Sequence, residues 1–433
     1  MVFHHRWILS PLRLPISPLG HAQVLYKNDS YYSSLLKSLY NKNMKQVRID
    51  YPVPVEYVRG KLKNAGYEVY LVGGSVRDAL MGNPVHDYDL TTNASPEEMK
   101  EVFREDFLIP TGEKHGTVTV RKDHMNIEIT TYRTEGEYQD HRHPDQVCFT
   151  KNLRDDLSRR DFTVNAMAYD PEEGVIDLFG GKEDLRKGIL RCVGDPEQRF
   201  TEDALRILRG LRFMSRFGFT AEPKTREAME DTGHLMKYLS GERIWNELQG
   251  LLEGAYADKT INENREVIRE ALNGYEGFTA DFTDFPVNAE VRAAYLLNRC
   301  DESEIRKTAG RLKVSSKTKK HLLDLWNLWN REDLDHPEEI RYLRVKYDDG
   351  VLAEAITVRQ GKDSESMKEL ERLVSAGTAR SVHELDISGN DLLDMGVPAA
   401  KIGKILEELL NDVLNEKIPN KKSVLKDTAK EII

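Results

Sequence analysis

The stretch from Val69 to Leu90 constrains the fold of this chain more than any other. A short, apolar and β-prone run stops at Gly73-Gly74-Ser75, and Val76 to Leu80 has the pattern of a first helical turn. Glycines in such a turn let a ligand approach the backbone, and the free N–H groups of a helix start attract an anion. The side chain of Arg77 adds a fixed positive charge. The stretch predicts a strand, a glycine turn and a helix, with a triphosphate held at Gly74 and Arg77.

Two carboxylates follow the glycine turn at Asp87 and Asp89. In an extended strand, residues i and i+2 point to the same face, so the two side chains lie side by side and repel one another. A hard divalent cation removes this repulsion, and Mg²⁺ is typically held by one or two carboxylates plus the phosphates of a substrate. The spacing therefore predicts a catalytic Mg²⁺ site on Asp87 and Asp89.

Glu128 is the candidate third catalytic carboxylate. The segments 116–121 and 125–133 alternate in polarity as the two strands of a hairpin do. Ile127 and Ile129 flank Glu128 and point to the opposite face of the second strand. Glu128 is therefore expected to reach the same side of a sheet as Asp87 and Asp89, although an ordinary exposed glutamate has the same pattern.

The segment from Phe200 to Phe213 carries the second informative pattern. Thr201 is a good N-cap, acids follow in the first turn, and leucines recur every third residue, which predicts one amphipathic helix. Asp203 and Arg206 are then neighbours on its surface. Such spacing is usual in a salt-bridged exposed helix face. A carboxylate beside a guanidinium also complements the amine and ring nitrogen of cytosine and adenine, and opposes uracil and guanine.

Length and composition limit the remaining possibilities. A chain of 433 residues, with 39% hydrophobic and 31% charged residues, is too long for one core and predicts a soluble protein of about two to four domains. No window approaches 18 consecutive apolar residues, which excludes a membrane-spanning helix. The three widely spaced cysteines predict neither disulfides nor a cysteine-based zinc site, and they favour the reducing cytoplasm.

In this order and spacing, the motifs resemble those of the nucleotidyltransferase superfamily that includes DNA polymerase β. The closer resemblance is to class II tRNA nucleotidyltransferases and bacterial poly(A) polymerases, through segments 71–78, 86–90, 159–166 and 202–206. This resemblance implies an α+β fold, with a polymerase-β-like mixed α/β head followed by an all-α neck, body and tail. It also implies that Arg160, Arg209 and Arg212 contact the incoming nucleotide.

The domains expected from this resemblance are an N-terminal extension (1–48), a catalytic head (49–195), a neck (196–257), a body (258–365) and a tRNA-binding tail (366–433). A basic strip between Ser303 and Leu322 is a candidate RNA-binding surface. The net charge of −10 does not oppose this, because basic residues can be segregated onto one face. A solvated helix face has the same composition. The residues expected to contact RNA are Arg311, Lys313, Lys317, Lys319 and Lys320.

The resemblance implies an enzyme that adds CCA to tRNA 3′ ends from CTP and ATP, with Mg²⁺ on Asp87 and Asp89. A poly(A) polymerase and a partial enzyme that adds only A are the nearest alternatives. A CC-only enzyme is disfavoured, because such enzymes have a shortened loop where this chain has Thr134 to Gln146. A non-catalytic RNA-binding module is expected to lack Asp87 or Asp89. An antibiotic nucleotidyltransferase is opposed by the long helical half.

Overall fold

The computed structural model describes residues 48–109, 116–135 and 147–432. The expected N-terminal extension, apart from its last residue, and nearly all of the loop from Thr134 to Gln146 lie outside the described residues. No described helix is long and apolar enough to cross a membrane.

A seven-stranded sheet organises the N-terminal part. Its strands lie in the order β3 (Phe107–Ile109), β4 (Thr117–Lys122), β5 (Met125–Thr131), β2 (Leu90–Thr92), β1 (Val69–Val72), β8 (Met167–Asp170) and β9 (Gly174–Asp177). Neighbouring strands are antiparallel except β2 and β5, which are parallel. A mixed sheet followed by helices confirms the predicted α+β class. The remaining strands of the head are β6 (Arg133–Glu135) and β7 (Val147–Phe149).

The two faces of this sheet have different surroundings. Val69 and Leu71 of β1 lie in the main core with apolar residues of α1 (Val53–Asn64), α2 (Gly74–Leu80) and α3 (Pro96–Val102). Tyr70 and Val72 point the other way, because side chains alternate along a strand. They form a small separate cluster with Leu157 of α4 (Leu153–Ser158). The second face thus carries a smaller apolar cluster than the first.

The prediction of a single helix that starts at Thr201 is wrong. Helix α6 (Pro196–Glu202) begins earlier, because the side chain of Asp195 caps it and Pro196 suits a first helical position. The chain then becomes extended at Asp203, with φ −143°, and α7 (Leu205–Phe217) follows. The Asp203 carboxylate accepts the Leu205 backbone N–H at 3.1 Å. Asp203 therefore ends one helix, and its side chain bonds the backbone at the start of the next, a local hydrogen bond that aspartates often form.

The rest of the chain is helical apart from β10 (Ile189–Leu190) and β11 (Thr220–Ala221), which pair in parallel. Helix α17 (Glu365–Ser375) belongs to the expected tail. It packs in the same core as the body through Met367, Leu370 and Leu373. A separate cluster of buried residues begins at Ala379. The remaining helices are α5 (Gly181–Lys187), α8 (Pro223–Thr232), α9 (Gly241–Leu252), α10 (Ala257–Glu263), α11 (Arg265–Ala271), α12 (Ala289–Leu296), α13 (Glu302–Arg311), α14 (Ser316–Trp329), α15 (Ile340–Lys346), α16 (Asp349–Gln360), α17 (Glu365–Ser375), α18 (Gly389–Asp394), α19 (Ala399–Leu414) and α20 (Lys422–Ile432).

His321 joins three helices of the body. Its Nδ1 lies 2.5 Å from Oε2 of Glu290, and its Nε2 lies 2.6 Å from Oε2 of Glu354. Burial alone lowers the pKa of His321, but the hydrogen bonds to the two glutamates outweigh burial and raise this pKa to about 9. The protonated imidazole therefore holds α12, α14 and α16 together.

This cluster predicts a pH-dependent stability. A folded-state pKa above the unfolded value gives a stabilisation that is complete below about pH 6.5 and is lost as pH rises through about 9. The wild-type protein should lose up to roughly 3 kcal/mol of unfolding free energy across this range relative to His321→Gln. Denaturant titrations of both proteins at pH 6 and pH 10 measure the difference, and parallel pH profiles would contradict the assignment.

Candidate active site

The glycine turn brings two arginines against the backbone between β1 and α2. Gly73 has φ 74°, a conformation that favours glycine. A Cβ atom at Gly73 would lie 3.1 Å from Nη1 of Arg160, and one at Gly74 would lie 3.3 Å from Nη2 of Arg77. The absence of both side chains therefore lets two guanidinium groups approach the turn.

The register of the sheet places the predicted carboxylates together. Leu90 of β2 pairs with Ile129 of the parallel strand β5. The residues that precede them, Asp89 immediately before β2 and Glu128 within β5, therefore lie side by side on the face opposite the main core. Asp87 is tied to the glycine turn, because the Ser75 hydroxyl donates to its carbonyl oxygen at 2.5 Å. All three acidic residues are exposed.

The electrostatics of these carboxylates favour a cation. Although Asp89 is solvent-accessible, the surrounding protein desolvates its carboxyl group and raises its pKa; the charges of Glu128 and Asp87 raise it further, and Arg160 opposes them. In the part of the chain that is described, no group of three or more His, Cys, Asp or Glu side chains is arranged to hold a metal ion. The donor set fits a two-carboxylate site completed by substrate phosphates, which is how Mg²⁺ is typically held.

Arg160 has unused hydrogen-bonding capacity at the turn. Its Nη2 contacts Oδ2 of the buried Asp156 at 3.3 Å, but its buried Nε has no hydrogen-bond partner. Burial lowers the pKa of Arg160, and the charge of Asp156 opposes that effect. An unsatisfied buried donor is unusual in folded proteins. Because this Nε is enclosed by protein, a ligand can reach Arg160 only through the exposed part of its side chain.

Arg77 is buried more deeply than the sequence predicts for a ligand-binding arginine. Only 5% of the residue is exposed. Its guanidinium donates to Oδ1 of Asn165 at 2.7 Å and to Oδ1 of Asp78 at 2.9 and 3.0 Å. Its terminal carbon lies 5.1 and 4.8 Å from the ring centres of Phe213 and Phe217 on α7. Arg77 thus connects the glycine-turn helix to α7, and its contact with a triphosphate stays a prediction.

Asp161 provides a second connection between the head and α7. Its Oδ1 accepts from Asn165 at 3.2 Å, and its Oδ2 accepts from Nε of Arg209 at 2.9 Å. Burial raises the pKa of Asp161, but the Arg209 guanidinium and the hydrogen bonds outweigh it and hold this pKa below its usual range. On the same helix, Arg212 donates to Glu247 of α9 at 2.6 Å. Both arginines are therefore held in fixed orientations by acidic partners.

Asp203 and Arg206 do not lie on one helix, which corrects the prediction made from their spacing. Arg206 of α7 pairs with Glu202 at 2.6 Å. Asp203, in the extended link before α7, pairs with Arg243 of α9 at 3.0 Å. The sequence gives no signal for Arg243, because forty residues separate it from Asp203 and only the tertiary fold brings them together. The carboxylate and the guanidinium still flank the start of α7.

The basic strip is divided between two helices. Helix α13 ends at Arg311 and α14 begins at Ser316. Arg311 donates to the Glu270 carbonyl oxygen, Lys313 lies 3.3 Å from Glu242, and Lys320 pairs with Asp324. Among the residues that the structure describes, Lys317 and Lys319 form no ion pair. Of the five residues expected to contact RNA, these two are therefore the cations that are available to phosphates.

Comparisons with protein families match most of the chain. A model described as "Poly A polymerase head domain" matches residues 69–191. A model described as "Probable RNA and SrmB- binding site of polymerase A" matches residues 218–266, and one described as "tRNA nucleotidyltransferase domain 2 putative" matches residues 289–429. The three matches follow one another along the head and the helical half.

Individual relatives are similar over nearly their whole length. A CCA-adding enzyme from Lactococcus lactis is 35% identical over 408 residues, covering 88% of this chain and 98% of the relative. One from Ligilactobacillus salivarius is 36% identical over 395 residues, covering 86% and 95%. The structure of the Bacillus stearothermophilus CCA-adding enzyme in complex with CTP matches with a TM-score of 0.71 at 29% identity, covering 88% of this chain and 99% of that one.

Proposed function

The chain belongs to the family of class II CCA-adding enzymes, and on that premise we propose that it adds C, C and A to tRNA 3′ ends from CTP and ATP. One observation carries the proposal at the level of residues: Asp89 and Glu128 lie side by side on the open face of the sheet, next to the glycine turn. A non-catalytic RNA-binding module has no need to keep these carboxylates. The relatives reported above are CCA-adding enzymes, which favours CCA addition over poly(A) synthesis.

The catalytic roles follow from the positions of the side chains. The family depends on divalent metal ions. Asp87 and Asp89 would hold these ions, which we propose to be Mg²⁺ and whose chemistry when bound is to activate the RNA 3′-hydroxyl and stabilise the leaving pyrophosphate. Glu128 lies next to Asp89, where it can accept a proton from the hydroxyl. Its carboxylate is exposed and therefore accessible to the RNA end.

The triphosphate is proposed to lie between the glycine turn and α7. Gly74 allows close approach to the backbone, and Arg160 places the exposed part of its guanidinium beside the turn. Arg209 and Arg212 contribute positive charge from α7, and the buried Arg77 contributes positive charge from the helix that follows the turn. Each of these arginines except Arg160 is held by a well-formed acidic partner, so the site is preorganised before the nucleotide enters.

Base selection is assigned to Asp203 and Arg206. Oδ1 of Asp203 accepts from Leu205 and contacts Arg243, whereas Oδ2 contacts, among the described residues, only Arg243. A carboxylate oxygen has two acceptor positions, so Oδ2 retains one for the exocyclic amine of cytosine or adenine. Arg206 supplies the neighbouring donor to the ring nitrogen.

All three cysteines are free thiols, which agrees with the proposed cytoplasmic location.

Purified protein, tRNA transcripts and single labelled nucleoside triphosphates test this function. Transcripts should end at the discriminator base, at the first C or at the second C. CTP should extend the first two by C, and ATP should extend only the third by A. Repeated A addition would instead identify a poly(A) polymerase, and A addition without C addition would identify a partial enzyme.

The body surface offers a separate prediction about tRNA. The double substitution Lys317→Ala and Lys319→Ala should weaken tRNA binding and flatten its salt dependence by up to about 0.7–0.9 log unit for each phosphate that is no longer neutralised. Lys320→Ala is the matched control, because Lys320 is already paired with Asp324. Binding isotherms between about 50 and 200 mM salt measure the slope. An unchanged slope in the double variant would return these lysines to ordinary surface.

A further inference from the structure

Arg216 differs from the other arginines of α7 in having no acidic partner. Arg206, Arg209 and Arg212 pair with Glu202, Asp161 and Glu247, respectively. Arg216 is exposed, and within the described part of the chain its side chain forms no hydrogen bond or ion pair. Its positive charge is therefore uncompensated at the C-terminal end of α7.

The Phe217 ring lies against two guanidinium groups. The terminal carbon of Arg77 is 4.8 Å from the ring centre, and that of Arg216 is 5.1 Å from it. Two cations on one ring repel each other, and Asp78 balances only one of them. Burial lowers the pKa of Arg77, and the charge of Arg216 lowers it further despite Asp78. A bound anion would remove this local excess of positive charge.

The position of Arg216 along α7 indicates which anion. Asp203 and Arg206, which are assigned to the base, lie at the N-terminal end of this helix. Ten residues of helix separate Arg206 from Arg216, which is a distance of about 15 Å along the axis. Arg77, from the glycine-turn helix, meets α7 at the same end as Arg216. A nucleotide with its base at Asp203 therefore directs its phosphates toward Arg77 and Arg216.

We propose that Arg216 binds the triphosphate of the incoming nucleotide, at the phosphates furthest from the base, and also binds the pyrophosphate product. This inference rests on the proposed function and adds a residue that the resemblance does not assign. The contact is independent of the base, because every nucleoside triphosphate carries the same phosphates. Arg216 is exposed, so its removal leaves the core of α7 intact.

The test compares Arg216→Ala, Arg216→Lys and the control Arg226→Ala, which removes an arginine from the neighbouring helix α8. Arg216→Ala should raise KM for both CTP and ATP about three- to tenfold, and should weaken pyrophosphate inhibition by a similar factor. KM for tRNA, kcat at saturating nucleotide and the choice of base should not change. Arg216→Lys should recover most of the affinity, and Arg226→Ala should match the wild type.

Equilibrium binding of CTP without tRNA provides the second measurement. Unchanged CTP affinity and unchanged KM in Arg216→Ala would overturn the inference. A raised KM for tRNA alone, with a flatter salt dependence, would also overturn it and assign Arg216 to the RNA backbone. If the wild-type protein adds no nucleotide to tRNA, the proposed function fails. The CTP affinities of the two proteins would still decide whether Arg216 binds triphosphate.

Discussion

Asp89→Ala is expected to abolish nucleotide addition, with a loss of roughly a thousandfold or more, and Asp87→Ala should behave in the same way. Each substitution removes one of the two carboxylates, Asp87 and Asp89, that are proposed to hold the catalytic cation. The register of β2 and β5 places Asp89 beside the third acidic residue, Glu128. The affinity for tRNA should stay near that of the wild type, because these groups bind cations and not the RNA backbone.

Single-turnover addition of C to a transcript lacking CCA, at saturating CTP and Mg²⁺, measures this effect. Glu105→Ala is a suitable control, since Glu105 is an exposed acid of the same domain outside the site. Turnover comparable to the wild type in either aspartate variant would refute the assignment of the cation site.

Asp203→Ala should lose discrimination against UTP and GTP. The carboxylate opposes the carbonyl oxygen that uracil and guanine present at the amine position, and each mispaired polar contact in a desolvated site costs roughly 1–3 kcal/mol. The variant should therefore accept the wrong bases about ten- to a hundredfold more readily relative to C and A. The absolute rate should also fall, because Arg243 loses its partner.

Addition assays with each of the four triphosphates check this selection. Asp195→Ala is the matched control, since it removes the cap of α6 without removing the pair at the start of α7. A slower Asp203→Ala enzyme that still accepts only C and A would mean that this region is scaffold, with base selection located elsewhere.

The local structure of the head follows from the sequence. The strand, glycine turn and helix around Gly73 depend on residues that are adjacent in the chain, and the alternation around Glu128 fixes its face relative to Asp89 once the strands pair in register. The prediction that these two carboxylates share one face of a sheet is confirmed.

The helix break at Asp203 could not be predicted in the same way. The leucines that recur at every third position, from Leu205 to Leu211, all follow the break, so their periodicity does not mark where the helix begins and is equally compatible with a start at Thr201. The competing signal is the Asp195-Pro196 start, which begins a separate helix before Asp203 and leaves the Asp203 side chain free to accept the Leu205 backbone N–H. Local capping competes with periodicity, and only the packed structure decides between them.

The ion pairs that fix the site are also beyond sequence reasoning. Arg209 finds Asp161, Arg212 finds Glu247 and Asp203 finds Arg243 across separations of 48, 35 and 40 residues. All these ion pairs together determine which arginine has no acidic partner. That Arg216 is the unpaired arginine of α7 can therefore be seen only in the folded structure. The same holds for the five residues expected to contact RNA, which look equivalent in the sequence although, among the described residues, only Lys317 and Lys319 of these five have a side chain with no hydrogen bond or ion pair.

Synthesis of a CCA end without a nucleic-acid template is the activity on which all the assigned roles depend. The decisive experiment supplies all four nucleoside triphosphates at equal concentration with a tRNA transcript that ends at the discriminator base, and then sequences the 3′ ends of the products. We expect the wild-type protein to add C, C and A in that order and then to stop, with U and G absent. A homopolymeric A tail, an end at CC, random incorporation or no addition would contradict the proposed activity.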